Sequence, residues 1–266
     1  MTELRYVYAV TRPFDGVLPE AVRGVAGAPP RLLAHDGLVA VMSDVPAADF
    51  AEAPLRDRLE DLDWLAATAR GHDAVVGSLT TLTTPLPLRL VTVCQDDSGV
   101  KRLLDSGREQ FGRALERLDG RVEWGVKVYA EDTAETPDTP AEASHGDRPT
   151  TGRDYLRQRL RQRDTADSSF ARADAVSRRI HAELCRRAEA DCLHRPQDPR
   201  LPGVTRGNVL NAAYLVPREH CEAFVADVQR LTPPGPGVRV ELTGPWAPYS
   251  FAVTTAAPAA GRSEAP

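Results

Sequence analysis

The chain has 266 residues, with 33 Lys and Arg against 38 Asp and Glu, so its formal net charge is -5. This mildly acidic balance disfavours nucleic acid or an anionic lipid membrane as a general partner, because proteins that bind phosphate usually carry a basic surplus. With 42% hydrophobic and 27% charged residues, the composition is typical of a globular protein with room for one large domain or two smaller ones.

The sequence predicts neither a secretion signal nor a membrane span. The N-terminus, MTELRYVYAV, lacks a basic segment followed by a long apolar run, and no stretch of about 18 apolar residues occurs. The cysteines are scattered, and no CxxC pair is present; they are Cys94, Cys185, Cys192 and Cys221. We therefore predict reduced thiols and a cytoplasmic protein.

Strand signals open the chain. In LRYVYAV, alternate side chains from Leu4 to Val10 have the period of two that is typical of a strand with one buried face. The segments RLLAH and LVAVMS then flank Asp36 and Gly37. This dipeptide suits a two-residue type I′ hairpin, because both of its positions need a positive φ.

Helix and strand patterns alternate in the next part of the chain. Residues 55–79 place apolar side chains at steps of three and four, which predicts one long amphipathic helix. The segment PLPLRLVTV, residues 85–93, predicts a strand that starts at a sheet edge, since proline donates no hydrogen bond. A second helix is predicted over 99–118, with one apolar side, and a strand with alternating apolar residues over 121–130. The apolar side of the helix consists of Val100, Leu104, Phe111, Leu115 and Leu118. We therefore predict an N-terminal α/β domain over 1–130, with a mixed sheet and two long helices.

The composition changes sharply over residues 131–152. The segment EDTAETPDTPAEASHGDRPTTG is rich in acids, Pro and Thr, and it has no apolar side chain larger than Ala. Such a segment cannot bury enough surface to offset the entropy of ordering it. We predict a flexible linker here, a C-terminal domain over 153–254 and a disordered tail over 255–266.

The C-terminal domain begins with helix patterns. We predict one helix at DYLRQRLRQRD and a longer one that starts near Ser168 and continues to Leu193. A strand at NVLNAAYLV, a helix from Pro217 to Leu231 and strands at VRVEL and YSFAV follow. This order is typical of an α+β domain with an antiparallel sheet. The predicted fold class of the whole chain is α+β, in two domains.

Two groups of side chains have the chemistry of a catalytic or metal site. His72 and Asp73 have the composition of a general base with an orienting acid, but adjacent helical residues point about 100° apart. We therefore expect His72 to be a hydrogen-bonded core histidine. His181 and Cys185 lie one helical turn apart and offer metal ligands, with Cys192 expected on the same helical face and His194 as a fourth candidate ligand. Since the spacing matches no common zinc motif, the favoured interpretation is structural, with Cys as a small buried residue.

Two segments are candidate surfaces for a partner protein. Arg157 and Arg161 belong to the basic helix start RDYLRQRLRQR, which suits a solvated face that pairs with an acidic partner. In TGPWAPYSFAV, prolines stiffen a turn that holds Trp246 and Tyr249, which presents aromatic side chains at low entropic cost. The alternative is that Trp246 and Phe251 fill a core. Common phosphate-loop, hydrolase and metalloprotease motifs are absent, so we predict no catalytic residue, cofactor or metal.

Seven strings occur in order between about residue 4 and residue 253: YVYAV, DGLVAVMSDVP, LDWLAATARGHDAVV, PLPLRLVTV, EWGVKVY, DYLRQR and LTGPWAPYSFAV. Together they resemble the gas vesicle protein F/L family (GvpF/GvpL). The resemblance implies a non-enzymatic accessory protein that binds the hydrophobic shell subunit and other accessory proteins during nucleation or assembly, in the cytoplasm and on the gas vesicle. It also implies an N-terminal α/β domain of unusual topology and a ferredoxin-like C-terminal domain preceded by helices.

Two other functions are alternatives. Ferredoxin-like sheets also occur in regulatory domains, so one alternative is a small-molecule-sensing regulatory protein. A ligand screen by thermal shift separates it from an assembly protein, because only the sensor gains stability from a small molecule. The other alternative is a hydrolase or metalloenzyme built on His72 and Asp73, or on His181 and Cys185. Metal analysis of the purified protein tests its metalloenzyme form.

Overall fold

The chain folds into a mixed α+β structure with two antiparallel sheets and six α-helices in the residues that are described. The structure is a computed structural model, and it describes residues 3–131, 152–195, 207–235 and 237–252. The predicted linker, apart from Glu131 and Gly152, and the predicted tail lie outside these residues.

Five strands of different lengths form the first sheet. They are β1 (Glu3–Thr11), β2 (Arg31–His35), β3 (Leu38–Pro46), β4 (Leu86–Pro87) and β5 (Val93–Cys94). Their order is β2-β3-β1-β4, and β5 also pairs with β1. Each of these pairs runs antiparallel, so the predicted mixed sheet is wrong. The reason is that the chain returns from its helices to the free edge of β1 in the direction opposite to β1.

The predicted hairpin between β2 and β3 is confirmed. Asp36 has a φ of 46° and Gly37 a φ of 79°, as a type I′ turn requires. The turn places β3 beside β1, so β1 is flanked on both edges. From Tyr6 to Thr11 every residue of β1 is buried. Both faces of this part of the strand are therefore covered, whereas the alternation predicted only one buried face.

Four helices accompany the first sheet: α1 (Ala47–Phe50), α2 (Glu52–Arg58), α3 (Leu62–Leu79) and α4 (Asp97–Leu118). The prediction of one helix over 55–79 is wrong, because Asp61 caps a new helix. Its side chain accepts hydrogen bonds from the backbone N–H groups of Asp63 and Trp64. The predicted apolar side of α4 is confirmed, since all of its members are buried: Val100, Leu104, Phe111, Leu115 and Leu118.

The strand predicted over 85–93 is wrong in its middle. Only its two ends pair with β1, as β4 and β5, and the intervening segment loops away from the sheet. The backbone still touches β1 at both ends of this loop, where Leu88 N–H donates to the Tyr8 carbonyl at 2.9 Å and Val7 N–H donates to the Thr92 carbonyl at 2.8 Å. Val91 has a φ of 64°, which a strand does not allow.

Four strands form the second sheet, and two helices belong with them. In chain order the elements are β6 (Arg121–Ala130), α5 (Gly152–Cys185), β7 (Ala190–Leu193), β8 (Asn208–Pro217), α6 (Cys221–Leu231) and β9 (Val238–Trp246). The strand order is β7-β8-β6-β9. Strand β6, which the sequence analysis assigned to the N-terminal domain over 1–130, therefore pairs in the second sheet and not in the first. Its alternating pattern identified the buried face but not the neighbouring strands, because the pleat is the same in any sheet.

The chain divides into two compact units. One boundary falls between Glu123 and Trp124 and the other between Gly244 and Pro245, so the first unit contains both the N-terminal part and the segment after Gly244.

Three predictions for the C-terminal elements are also wrong. The two predicted helices are one continuous helix, α5, with no break near Ser168. The helix predicted to reach Leu193 ends at Cys185, and the chain continues as β7 because β8 offers an edge to pair with. The described part of YSFAV, residues 249–252, contains a 3-10 turn over Tyr249–Phe251 and no strand.

Candidate functional site

An aromatic cluster lies between β1 and α3 in the first unit. Tyr6 and Tyr8 share one face of β1, with ring centroids 4.9 Å apart. The ring of His72, from α3, lies 5.8 Å from the Tyr6 ring and 5.6 Å from the Tyr8 ring. All three side chains are buried. The period-two pattern of β1 and the helical pattern of α3 thus bring these residues into one core.

His72 is held by one hydrogen bond. Its Nδ1 lies 3.0 Å from the Tyr6 hydroxyl, and the Val91 N–H donates to the same hydroxyl at 3.0 Å. Burial lowers the pKa of His72 to about 4, and burial also raises the pKa of Tyr6. Both groups are therefore neutral at physiological pH. The prediction of a hydrogen-bonded core histidine is confirmed.

A cavity of about 440 Å³ opens beside His72. Helix α3 forms one wall, the start of the loop after β4 forms another, and the segment after Pro248 forms the third. The lining residues are Ala69, His72, Asp73, Pro87, Leu88, Arg89, Leu90, Tyr249 and Ala252. A mostly apolar cavity of this size fits a small ligand or a few side chains of a partner.

The predicted turn that holds both aromatic residues is wrong for Trp246, which ends β9, and only Tyr249 lies in the 3-10 turn. The segment that carries both residues, called the aromatic turn below, is anchored in the first unit. Ala247 packs into the cluster around Tyr6 and Tyr8. The Ser250 backbone N–H and hydroxyl both donate to the Glu123 carboxylate, each at 2.7 Å. These contacts attach the segment to the first unit on both sides of Tyr249.

The side chains of Trp246 and Tyr249 differ in how much of their surface is exposed. Trp246 is 47% exposed and Tyr249 is 37% exposed, whereas Phe251 is buried. The Tyr249 hydroxyl donates to Oδ1 of Asp73 at 3.3 Å, and burial together with the Asp73 charge raises the pKa of Tyr249. Asp73 therefore contacts Tyr249 and does not orient His72, so the pair lacks the geometry of a general base with its orienting acid.

The structure brings together only some of the residues that the sequence singled out. Tyr249 lines the cavity and Trp246 is exposed nearby in the chain, while Arg157 and Arg161 fall in the part of α5 whose side chains lie outside the described residues. A role of these four residues in binding stays a prediction. Sequence reasoning missed Leu90, because the loop that carries it was predicted to be a strand.

Two groups of side chains have the composition of a metal site among the described residues. His35, Asp36 and Asp105 form one, and His181, Cys185 and Asp191 form the other. Cys192 is not a member of the second group. It lies on strand β7 and not on the helix, and neighbouring residues of a strand point to opposite faces.

None of the helices in the described part of the chain combines the length and the apolar character that a bilayer span requires.

Comparison with known proteins identifies a single family. The family model described as gas vesicle synthesis protein GvpL/GvpF matches residues 4–253. Gas vesicle protein L from Streptomyces sp. (strain CB03234) is 64% identical over 249 residues, which are 94% of this chain and 92% of that protein. Gas vesicle protein F from the same strain is 28% identical over 92% of this chain and 98% of that protein.

The fold has solved counterparts. A crystal structure of the gas vesicle protein GvpF from Anabaena sp. PCC7120 is similar with a TM-score of 0.65. The similarity covers 96% of this chain and 98% of that chain, at 21% sequence identity. At this level of identity the likeness concerns the fold alone.

Proposed function

This chain belongs to the gas vesicle synthesis protein GvpL/GvpF family, and from this membership we propose that it binds the hydrophobic shell subunit and other accessory proteins during nucleation or assembly of the gas vesicle. It acts without catalysis, in the cytoplasm and on the vesicle. The observation that carries the proposal is the family match over residues 4–253.

A physical need supports this role. A subunit that assembles into a wall with a hydrophobic, gas-facing side has apolar surface before assembly, and exposed apolar surface aggregates unless a partner covers it. A soluble accessory protein that covers this surface keeps the subunit available for assembly.

The aromatic turn and the cavity beside it are the proposed contact surface. Trp246 and Tyr249 supply large side chains on an anchored backbone, which limits the entropy lost on binding. The apolar lining of the cavity suits an aliphatic side chain of the shell subunit. Arg157 and Arg161 are proposed to contact an acidic accessory protein.

The finer description of the fold is also part of the proposal. The second unit has the element order β-α-β-β-α-β, from β6 to β9, and the sheet order β7-β8-β6-β9. This connectivity supports a ferredoxin-like domain that begins with β6 and is completed by β9. The first unit is proposed to be the N-terminal domain of the family.

Co-purification of the shell subunit tests the contact surface. The double variant Trp246→Ala/Tyr249→Ala should retain about tenfold less shell subunit than the unchanged chain, since exposed aromatic anchors commonly dominate binding. Phe170→Ala is the matched control, because Phe170 is also an exposed aromatic, 52% exposed, on α5. Equal binding by the double variant and the control would remove this surface from the proposal.

Gene deletion tests the function itself. Cells without this protein should form few or misshapen gas vesicles by electron microscopy, and the unchanged gene should restore them. Normal vesicles in the deletion strain would contradict the proposed function, whatever the binding experiment shows.

One observation favours the second candidate function, a small-molecule sensor. The cavity of about 440 Å³ is within the size range of small-ligand sites. A thermal-shift screen with amino acids and nucleotides should give no dose-dependent rise in melting temperature if the cavity receives a protein side chain. A clear rise with one compound would favour the sensor.

A further inference from the structure

A cysteine, a histidine and an aspartate meet in the second unit, where α5 ends and β7 begins. One ligand atom from each of His181, Cys185 and Asp191 lies within 4.8 Å of the others. Sγ of Cys185 is 3.5 Å from Nδ1 and 3.6 Å from Nε2 of His181, and Oδ2 of Asp191 is 3.9 Å from Nε2. Thiolate, imidazole and carboxylate are the ligand types that zinc prefers.

Rotations of the Cys185 and Asp191 side chains allow a tetrahedral ion to be bound. With zinc bonds of about 2.3 Å to sulfur and about 2.0 Å to nitrogen and oxygen, tetrahedral angles separate sulfur from nitrogen by about 3.5 Å and oxygen from nitrogen by about 3.3 Å. The sulfur of Cys185 has this distance from Nε2 of His181, but it lies equally close to Nδ1. A rotation about the Cα–Cβ bond of Cys185 must therefore bring the sulfur to the lone-pair side of Nε2. The carboxylate of Asp191 needs a small rotation, which is compatible with a side chain that is 38% exposed.

Tyr214 holds the histidine ring in the required orientation. The Tyr214 hydroxyl lies 2.8 Å from Nδ1 of His181, and Tyr214 is itself fully buried and paired across the strands with Asp191. When Nδ1–H donates to the phenol oxygen, the lone pair of Nε2 stays available for an ion. Histidines that bind metals are commonly held in this way through their second nitrogen.

The charge at this group also differs from that at the other potential metal site. Arg108 lies 2.6 Å from Asp36 and 2.9 Å from Asp105, so a positive charge already neutralises those carboxylates. Asp191, by contrast, has no ion pair with Arg or Lys among the residues that the structure describes. Burial and the Asp191 charge raise the pKa of the Cys185 thiol to about 11, so binding of an ion displaces the thiol proton.

We propose that His181, Cys185 and Asp191 bind one divalent zinc-class ion, with the fourth position open to water or to a ligand atom of a partner. The ion ties the end of α5 to β7, which is an edge strand of the second sheet. The proposal stands on the geometry of the second unit and does not depend on the function proposed above.

Cobalt titration of the full chain, with its thiols kept reduced, tests the site. One equivalent of Co²⁺ should give a near-ultraviolet charge-transfer band from the thiolate and the visible bands of a tetrahedral site. One equivalent of Zn²⁺ should then remove both, because Zn²⁺ displaces Co²⁺. Absence of the charge-transfer band in the unchanged protein would overturn the proposal.

Variants assign the ligands. Cys185→Ser should abolish the charge-transfer band, whereas the matched control Cys192→Ser, a thiol one residue from Asp191 in sequence, should keep it. Asp191→Asn should weaken Co²⁺ binding by about tenfold or more, and Tyr214→Phe by about 10–100-fold through loss of the support at Nδ1. Circular dichroism checks that each variant is folded. A band that survives Cys185→Ser, or that disappears with Cys192→Ser, would contradict this ligand set.

Discussion

His72 is a titratable side chain placed where its charged form is strongly disfavoured. Tyr6 bonds its Nδ1, while Nε2 is buried and finds no hydrogen-bond partner in the described part of the chain. An imidazolium here gives up its hydration without gaining a counter-ion, and this is why burial lowers the pKa to about 4. The residue serves the packing of α3 on β1 and keeps a neutral wall on the cavity.

Stability is expected to depend on pH through this residue. An unfolded chain protonates His72 near pH 6.5, whereas the folded chain does so near pH 4. Between these values the unfolded state binds more protons, so the free energy of unfolding falls by up to about 1.4 kcal/mol per pH unit as the pH drops. Urea denaturation of the unchanged protein and of His72→Gln should show that the variant loses this slope.

An exposed histidine provides the control for this measurement. His220 has a side chain that is 61% exposed, so His220→Gln should keep the pH slope of the unchanged protein. The same slope in all three proteins between about pH 6.5 and 4 would show that His72 is not its origin.

At the scale of elements, the loop between β4 and β5 creates the candidate site. A continuous strand would hold Leu88, Arg89 and Leu90 in the sheet, whereas the loop places them in the lining of the cavity. The loop places Val91 at a φ of 64°, an unfavourable conformation for a β-branched residue that costs about 1–3 kcal/mol. The hydrogen bond from Val91 N–H to the buried Tyr6 hydroxyl helps to offset this strain.

Helix α3 approaches its neighbouring loop so closely that one position needs glycine. A Cβ on Gly71 would lie 3.0 Å from the carbonyl carbon and oxygen of Gly24 and from the nitrogen of Val25, which are backbone atoms that cannot rotate away. Gly71→Ala should therefore lower the free energy of unfolding by about 1 kcal/mol or more, because overpacking forces the backbone to shift. Chemical denaturation measures the change.

The same helix contains the matched control. Nothing lies within 4 Å of a Cβ built on Gly77, so Gly77→Ala should raise stability by about 0.5–1 kcal/mol through the higher helix propensity of Ala. Changes of the same sign at Gly71 and Gly77 would mean that the close approach of α3 to Gly24 does not constrain the helix.

At the scale of the whole molecule, the chain returns to its first unit after completing the second sheet. The segment from Pro245 belongs to the first unit, where Ala247 and Phe251 are buried. The Arg117 guanidinium also donates to the Phe251 carbonyl. The first unit is therefore built from two parts of the sequence that lie more than a hundred residues apart.

Truncation tests this dependence. A chain that ends at Gly244 should show faster hydrogen exchange in α3 and α4, because it leaves apolar core surface of the first unit uncovered. A chain that ends at Val253 keeps every described residue and should exchange like the full chain. Equal protection of α3 and α4 in the two truncated chains would show that the returning segment adds nothing to the stability of the first unit.

Local patterns in the sequence determined a large part of the secondary structure. Asp36 and Gly37 fixed the hairpin through their positive φ, and the spacing of apolar residues fixed the buried side of α4. Each of these features depends on interactions between residues close in sequence, so each can be predicted without knowledge of the tertiary structure. Seven ordered strings also identified the family, which the comparisons support over residues 4–253.

Only the tertiary structure shows which residues distant in sequence contact each other within the chain. The alternation in β6 was clear, but its place in the second sheet depends on β8 and β9. Asp191 joins His181 and Cys185 only because β7 pairs with β8, and Tyr249 reaches Asp73 only because the chain returns to its first unit. A sequence pattern records which side chains are apolar and how often they recur. It does not record which distant segment covers them. The packing of distant segments determines both the cavity and the proposed metal site.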